Sequence, residues 1–395
     1  MMKTKLNYIL ILILPFFISN CVSEFNADLP SEDIDMLIVE GNIVANTQSI
    51  FYLEKSYSLN ESRILPSSLD VEADLFIVGS DGYRNGPAEY LGAGKYQINV
   101  GNLEENQNYG LEINYKGNVY ISDPLPPIGT PEIDSISWQQ PEKNGLVSLH
   151  ISTHDTGSKT GFYLWNYVED WEIRSPYETD LFYDPARRTY YQDDSFAYRY
   201  CWKRNTVNSI LVGSSESLLE NRIVNRQLYE KLSRDDRYSL LYSVNVIQMS
   251  LPKAAYEFYS NKVKLSEDMG GLFTPQPSES TGNVVCRTDP SKKVMGFVCV
   301  VKNVSEKRIY IAATEITKAH SSASVECEEI LASDLPAYLS EMKIDLAEFY
   351  KSGFRPVGQF NSMDPLESWV RERCVDCTKR GGTKNKPDFW PNDHQ

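Results

Sequence analysis

Two cysteines near the carboxyl end, Cys374 and Cys377, form a Cys-x-x-Cys sequence. As thiolates they could exchange disulfides or provide half of a tetrahedral zinc site. Redox motifs of this kind lie where a helix follows a strand, whereas this pair lies in a terminal segment rich in glycine and proline. No second Cys-x-x-Cys or histidine pair follows at a usual zinc spacing. We therefore expect structural disulfides, no metal and no other cofactor, with thiol oxidoreduction as the weaker alternative.

The amino terminus has the pattern of a bacterial lipoprotein signal. Lys3 and Lys5 precede an apolar run over residues 9–18, which is too short to cross a bilayer as a stable helix and ends just before Cys21. We expect cleavage after residue 20 and acylation of Cys21, which would anchor the protein to a membrane. A plain secretory signal is the alternative.

Six of the seven cysteines remain for disulfides once Cys21 is acylated. An even number of cysteines in an exported protein suggests disulfides, but the sequence does not separate the fifteen possible connectivities. Cys286 and Cys299 flank a turn at residues 288–291 and could be joined across adjacent strands. The candidate disulfide cysteines are Cys201, Cys286, Cys299, Cys327, Cys374 and Cys377.

Other polar groups offer little for catalysis. His150 and His154 alternate with serines in a strand pattern, so both are expected on its solvent face and not on a metal. The carboxylates of Glu169, Asp170 and Glu172 fit the solvated surface of an acidic chain. The sequence has no Gly-x-Ser-x-Gly elbow and no phosphate-binding loop. We therefore expect no catalytic residues and no enzymatic activity.

Aromatic residues are concentrated in two places. Tyr163, Trp165, Tyr167 and Trp171 share one face of a predicted strand, where a core position is favoured for the tryptophans. The second group flanks or lies within a long polar loop over residues 174–196, which is the best candidate for contact with a ligand or partner. That group consists of Tyr190, Tyr191, Tyr198, Tyr200 and Trp202.

Nucleic acid is excluded as a partner by the charge of the chain. The formal net charge is −15, and removal of residues 1–20 takes away two lysines and no acid, giving −17. Such a chain lacks the basic surface that phosphate backbones require. The acidity indicates a well-solvated surface.

The pattern of short alternating strands predicts a mainly β chain in several parts. Helical spacing is expected only over residues 252–268 and 335–342, and a hairpin is expected over 282–287 and 294–301. The predicted parts begin with an acidic tether (21–35) and an immunoglobulin-like or transthyretin-like β-sandwich (36–122). A proline-rich linker (123–131), a larger β-rich domain (132–330) and an irregular tail with a helix and the Cys-x-x-Cys sequence (331–395) follow.

The tail also carries a family resemblance. Its Cys-x-x-Cys is followed by Arg-Gly-Gly-Thr at residues 380–383 and by Lys-Pro-Asp-Phe-Trp at residues 386–390. This ending resembles that of a large family of outer-membrane lipoproteins from Bacteroidota, catalogued only as a domain of unknown function. Further matching positions lie at residues 37–41, 131–136, 242–246, 255–258 and 305–308.

The resemblance implies a location and a partner but no catalytic residues. Members are lipid-anchored at the outer membrane, on the cell surface or the periplasmic face, and are often encoded beside TonB-dependent transporters. We therefore expect a non-enzymatic accessory or ligand-capturing partner of such a transporter. The alternative is an independent glycan- or peptide-binding module. The cargo or ligand is not identified by the sequence.

Overall fold

The structure is a computed structural model that describes residues 36–56, 71–158, 161–193, 199–268, 282–318, 327–358 and 368–391. The expected signal peptide, Cys21, the tether and Tyr198 lie outside these residues. Within the described part, every helix is too short or too polar to cross a bilayer.

The chain is mainly β, and the prediction of an amino-terminal sandwich, a larger β-rich part and a cysteine-containing tail is confirmed. The first nine strands are β1 (Leu37–Gly41), β2 (Ile43–Val44), β3 (Gln48–Lys55), β4 (Asp74–Gly79), β5 (Arg84–Asn85), β6 (Glu89–Gly92), β7 (Lys95–Asn99), β8 (Tyr109–Tyr115) and β9 (Asn118–Ser122). Their alternating side chains bury one face of each strand, as in β3, where Ser49, Phe51 and Leu53 point inward.

The central part of the chain contains longer strands and one long helix. Its elements are β10 (Ile133–Gln139), β11 (Leu146–His154), β12 (Phe162–Arg174), β13 (Leu181–Asp184), β14 (Thr189–Gln192), β15 (Tyr200–Ser214), β16 (Arg222–Leu232), β17 (Leu241–Ser250), α1 (Lys253–Asp268), β18 (Val284–Cys286), β19 (Val294–Gly296), β20 (Val300–Val301) and β21 (Ser305–Ala312). The helix predicted over residues 252–268 is confirmed as α1.

The carboxyl-terminal elements are β22 (Ile330–Leu331), α2 (Leu335–Met342), α3 (Leu346–Lys351), β23 (Phe354–Val357) and β24 (Ser368–Arg371). The helix predicted over 335–342 is α2. The six-residue helix α3 was not predicted. Its start is fixed by Asp345, whose side chain accepts a hydrogen bond from the backbone N–H of Glu348.

The first sandwich consists of the sheets β19-β1-β3-β7-β6 and β18-β9-β8-β4-β5, whose inner faces share one core. The hairpin expected between β18 and β19 is wrong. Instead β18 pairs with β9 and β19 runs parallel to β1, while β20 runs parallel to β2. The reason is burial, because residues of this later segment, including Val284 and Val294, fill the core of the first sandwich. Residues 284–301 therefore interrupt the domain predicted over 132–330.

The second sandwich packs sheet β10-β11-β16 against sheet β15-β12-β17-β21. As predicted, Tyr163, Trp165 and Tyr167 lie on one face of β12, within the core, and Trp171 packs partly buried against the same core. The opposite face of β12 contributes Leu164, which packs beneath α1 against Phe258. Helix α1 thus covers one end of the outer face of this sheet.

A carboxyl-terminal layer rests on the second sandwich. Sheet β22-β24-β23 and helices α2 and α3 pack around Phe349 and Trp369, and the hairpin β13-β14 joins this core through Tyr183. The tail, residues 374–391, leaves this layer and returns to the second sandwich.

Candidate functional site

The two cysteines of the Cys-x-x-Cys sequence are bonded to different, distant partners. Cys377 is linked to Cys201 and Cys374 to Cys327, at sequence separations of 176 and 47 residues. Their sulfurs are thus held in crosslinks and are not thiolates for redox exchange or zinc binding. The pairing suggested for Cys286 and Cys299 is wrong, since both are free: Cys286 is buried in the core of the first sandwich and Cys299 in the apolar cluster beneath α1.

The tail passes around the edge strand β15 from one face of its sheet to the other. Cys201 lies opposite Ile173 on the inner face, where it holds Cys377. Thr383 then exchanges two backbone hydrogen bonds of 2.9 Å with Trp202 at the strand edge. Beyond the edge, Phe389 lies on the outer face. The centroid of its ring is 3.6 Å from the guanidinium carbon of Arg308. The tail therefore protects a strand edge that would otherwise be unpaired there.

The carboxylates expected on a solvated face are buried. The exposed fractions of Glu169, Asp170 and Glu172 are 0%, 1% and 5%, so that expectation is wrong. Asp170, on the outer face, accepts hydrogen bonds from Arg204 Nε at 2.7 Å and Arg308 Nη1 at 3.2 Å. These cations and the tail above them replace the water that the carboxylate loses.

Glu169 faces the inside of the second sandwich. Its Oε1 accepts from Arg237 Nη1 at 2.5 Å and from the Tyr242 hydroxyl at 2.7 Å, and its Oε2 accepts from Asn205 Nδ2 at 2.8 Å. Burial raises the pKa of the Tyr242 phenol well above its usual value, so the phenol stays neutral and able to donate. With both oxygens engaged, Glu169 anchors the strands around it.

The described members of the predicted aromatic contact group range from buried to exposed. Tyr190 packs against Tyr183 at 5.2 Å and against Trp369, and Trp202 is buried. Tyr200 is half-buried, with the Arg199 guanidinium 5.7 Å from its ring. Tyr191 is 40% exposed. The carboxyl-terminal layer uses Tyr190 in its own core, so among the described members of the group Tyr191 offers the most open ring for a contact.

One of the two histidines departs from its expected position. His150 is buried, because β11 is the central strand of its sheet and His150 lies between Ser137 and Gln227 of the neighbouring strands. His154 is partly exposed, and its Nδ1 lies 2.7 Å from Asp134 Oδ1. Among the described residues, no group of three or more His, Cys, Asp or Glu side chains is placed to hold a metal ion.

A cavity of about 220 Å³ lies where the first sandwich meets the second. Its walls come from β1, β12, β15 and α1 and from the segment that contains β19. We call it the junction cavity. Cavities between structural units are common ligand sites because side chains from independent elements converge there.

The walls of the junction cavity combine an apolar floor with polar groups. Phe258 packs on Phe297 with ring centroids 5.8 Å apart and on Tyr259 at 5.3 Å. Lys262 Nζ lies 3.5 Å from Glu40 Oε1 and 5.7 Å from the Phe258 ring centroid. Burial, together with the nearby negative charge of Glu40, raises the pKa of Tyr259, so its phenol remains a neutral hydrogen-bonding group.

Sequence reasoning missed the junction cavity because its charged residues come from segments more than two hundred positions apart. The helical spacing of Phe258, Tyr259 and Lys262 was the available local signal, and it indicated only an amphipathic helix. The pairing of β1 with β19 brings the remaining walls together.

A second feature is an apolar surface formed by the turn between β15 and β16 and by the start of β16. Leu218, Leu219 and Val224 are exposed there, with Leu219 fully in solvent, beside Arg222 and Arg226. Exposed apolar side chains that cluster in this way are typical of contact surfaces. We call these three apolar residues the exposed turn.

Comparisons with known proteins identify a family and little else. Among solved structures, a two fibronectin type-III domain segment from chicken tenascin is 13% identical to this chain, with 54% of this chain and 95% of that chain covered. Its TM-score of 0.16 is too low to support an argument. The comparison with curated proteins found no match.

A family model described as "Domain of unknown function (DUF4249)" matches residues 22–308. The matched range includes every wall of the junction cavity and ends before the tail. The chain belongs to the DUF4249 family.

Proposed function

We propose that this protein is a non-enzymatic lipoprotein of the outer membrane, held by an acylated Cys21, that acts as an accessory or ligand-capturing partner of a TonB-dependent transporter. The observation that carries the proposal is the pair of disulfides between distant segments. Such crosslinks persist in oxidising compartments outside the cytoplasm, which agrees with export by the expected signal sequence.

The state of the reactive groups supports binding over catalysis. Glu169 and Asp170 are held in buried ion pairs, and the sulfurs of Cys374 and Cys377 are crosslinked. The junction cavity offers a place for a small ligand, and the exposed turn offers a surface for a larger partner. The transporter itself enters the proposal through the resemblance of the tail to outer-membrane lipoproteins.

Membrane attachment is tested with Cys21→Ser in the full-length protein. We expect the wild-type protein in the membrane fraction, with mass spectrometry showing a lipid-modified Cys21 as the first residue. The serine variant should move to the soluble fraction. A wild-type protein that begins at another residue and carries no lipid would contradict the lipoprotein assignment.

Partnership with a transporter is tested by crosslinking and purification of the full-length protein from native membranes. We expect a β-barrel transporter among the crosslinked products, and we expect Leu219→Glu to reduce its recovery. Leu331→Glu, at an exposed leucine outside the exposed turn, is the matched control and should recover the barrel normally. If the wild-type protein crosslinks to no barrel, the accessory role fails.

An independent glycan- or peptide-binding module is the second candidate function. Tyr191 favours it, because this ring from the predicted aromatic group remains 40% exposed. Glycan and peptide arrays probed with the Cys21→Ser protein should then show binding that Tyr191→Ala removes. Binding that survives Tyr191→Ala would place the contact elsewhere.

A further inference from the structure

The size of the junction cavity suits a small molecule. A volume of about 220 Å³ corresponds to roughly seven water molecules at about 30 Å³ each. A ligand of the size of a single amino acid fills such a space, whereas drug-sized ligands occupy cavities of roughly 300–1,000 Å³.

The cavity presents one charge of each sign. Lys262 and Glu40 lie 3.5 Å apart, and their side chains are 31% and 61% exposed. An ion pair that exposed contributes only about 0–1 kcal/mol, so a ligand can separate it at little cost. A ligand with a single charge would leave either the lysine or the glutamate without its counterpart, whereas a zwitterion matches both.

The remaining walls fit an apolar body with polar atoms at one end. The buried side chains of Leu164, Phe258 and Phe297 provide apolar surface. Asn166, which is exposed on a strand of largely buried residues, lines the cavity with Leu164. Amide and phenol groups at the rim can hydrogen-bond a ligand's charged end, while the floor takes up its side chain.

We propose that the junction cavity binds a free amino acid with an apolar side chain, with its carboxylate against Lys262 and its ammonium group against Glu40. This inference rests on the ligand-capturing form of the proposed function. It adds the chemical class of the ligand and the residues that recognise it.

The test is calorimetric titration of the full-length protein, purified from membranes in detergent, with L-leucine. We expect saturable binding that weakens about tenfold or more for leucinamide, which lacks the carboxylate, and for N-acetyl-leucine, which lacks the ammonium group. This ligand series uses only the wild-type protein, so it does not depend on any variant folding.

Two variants assign the charged contacts. Lys262→Met and Glu40→Gln should each lower the affinity about tenfold or more. Lys264→Met, on the same helix, and Glu54→Gln, on β3, change exposed charges outside the cavity and should bind as the wild-type protein does.

Two results would overturn the inference: no binding of L-leucine at millimolar concentration, or equal binding of all three ligands. Failure here with a barrel still recovered from membranes would remove the ligand assignment and leave the accessory role. Binding of L-leucine without any barrel partner would keep the ligand assignment and remove the accessory role.

Discussion

Neighbouring acids in one strand are stabilised from opposite sides of a sheet. Glu169 points inward to Arg237, and Asp170 points outward to Arg204 and Arg308. These two carboxylates were expected on the surface because the chain as a whole is acidic. Overall acidity, however, does not indicate where an individual carboxylate lies. Burial of both carboxylates is tolerated because each meets cations from other strands or turns.

Removal of the Glu169 carboxylate should destabilise the protein strongly. Glu169→Ala removes one of the two carboxylates that pair with the largely buried Arg237 and leaves Asp235 as the other, so we expect a loss of about 3 kcal/mol in the free energy of unfolding. Urea denaturation measures the loss. Glu54→Ala, at an exposed position, is the control and should change stability by less than about 0.5 kcal/mol. Similar midpoints for the two variants would show that the buried network contributes nothing.

Buried phenols should make the fold sensitive to alkali. Burial raises the pKa of Tyr190 and of Tyr167 from 10.0 to about 12. At a pH between these two pKa values, most of these phenols have lost their proton in the unfolded chain but keep it in the folded chain. Stability is therefore full below pH 10 and falls as the pH rises toward about 12.

Denaturation midpoints between pH 9 and about 12 test this dependence. Tyr190→Phe keeps the ring contact with Trp369 and removes one titrating group, so its midpoint should fall less steeply with pH. Tyr52→Phe, at an exposed ring, is the matched control and should leave the slope unchanged. An identical slope for Tyr190→Phe and the wild-type protein would refute the assignment.

At the scale of elements, the tail is held by a combination of contacts along its length. The Cys201–Cys377 disulfide fixes the tail on the inner face of the sheet. Thr383 forms a backbone bridge at the edge of β15, and Phe389 stacks on Arg308 on the outer face. The hydroxyl of Tyr310 also donates to the carbonyl of Phe389. The tail is therefore part of the second sandwich and not an appendage.

Loss of the Cys201–Cys377 disulfide should loosen the tail. The double variant Cys201→Ser/Cys377→Ser should lose about 2–5 kcal/mol of stability and become sensitive to trypsin after Lys379 or Arg380. The variant Cys327→Ser/Cys374→Ser opens a loop of 47 residues instead of 176, so loop entropy predicts a loss smaller by roughly 1 kcal/mol. Denaturation and limited proteolysis measure both effects. Equal protection of the tail in all three proteins would exclude a clamping role.

At the scale of the whole molecule, the first sandwich is completed by strands from much later in the chain. Val284, Val294, Val298 and Val300 are nearly or fully buried in its core, and β18 and β19 extend its two sheets. The two sandwiches are therefore joined by the proline-rich segment 123–131 and also by residues 282–304. The junction cavity depends on residues 282–304, because this segment supplies one of its walls where the two sandwiches meet.

A fragment of residues 36–131 should consequently fail to fold cooperatively. It lacks β18–β20, so β1 and β9 would become open edges and the core would lose the buried valines. Thermal melting followed by circular dichroism tests the fragment against a version that carries residues 282–304 on a flexible linker, which should recover a transition. A sharp transition in the fragment alone would show that the later strands are dispensable.

The sequence determined the features that depend on a few neighbouring residues. Alternation placed Tyr163, Trp165 and Tyr167 on one face of β12, and helical spacing located α1 and α2, because side-chain periodicity is a local property of the backbone. The tertiary structure alone decided which cysteines are bonded, that Glu169 and Asp170 are buried, that β18–β20 belong to the first sandwich, and that Lys262 meets Glu40. These outcomes join residues tens to hundreds of positions apart, and they depend on which exposed edges and apolar faces cover one another when the whole chain packs.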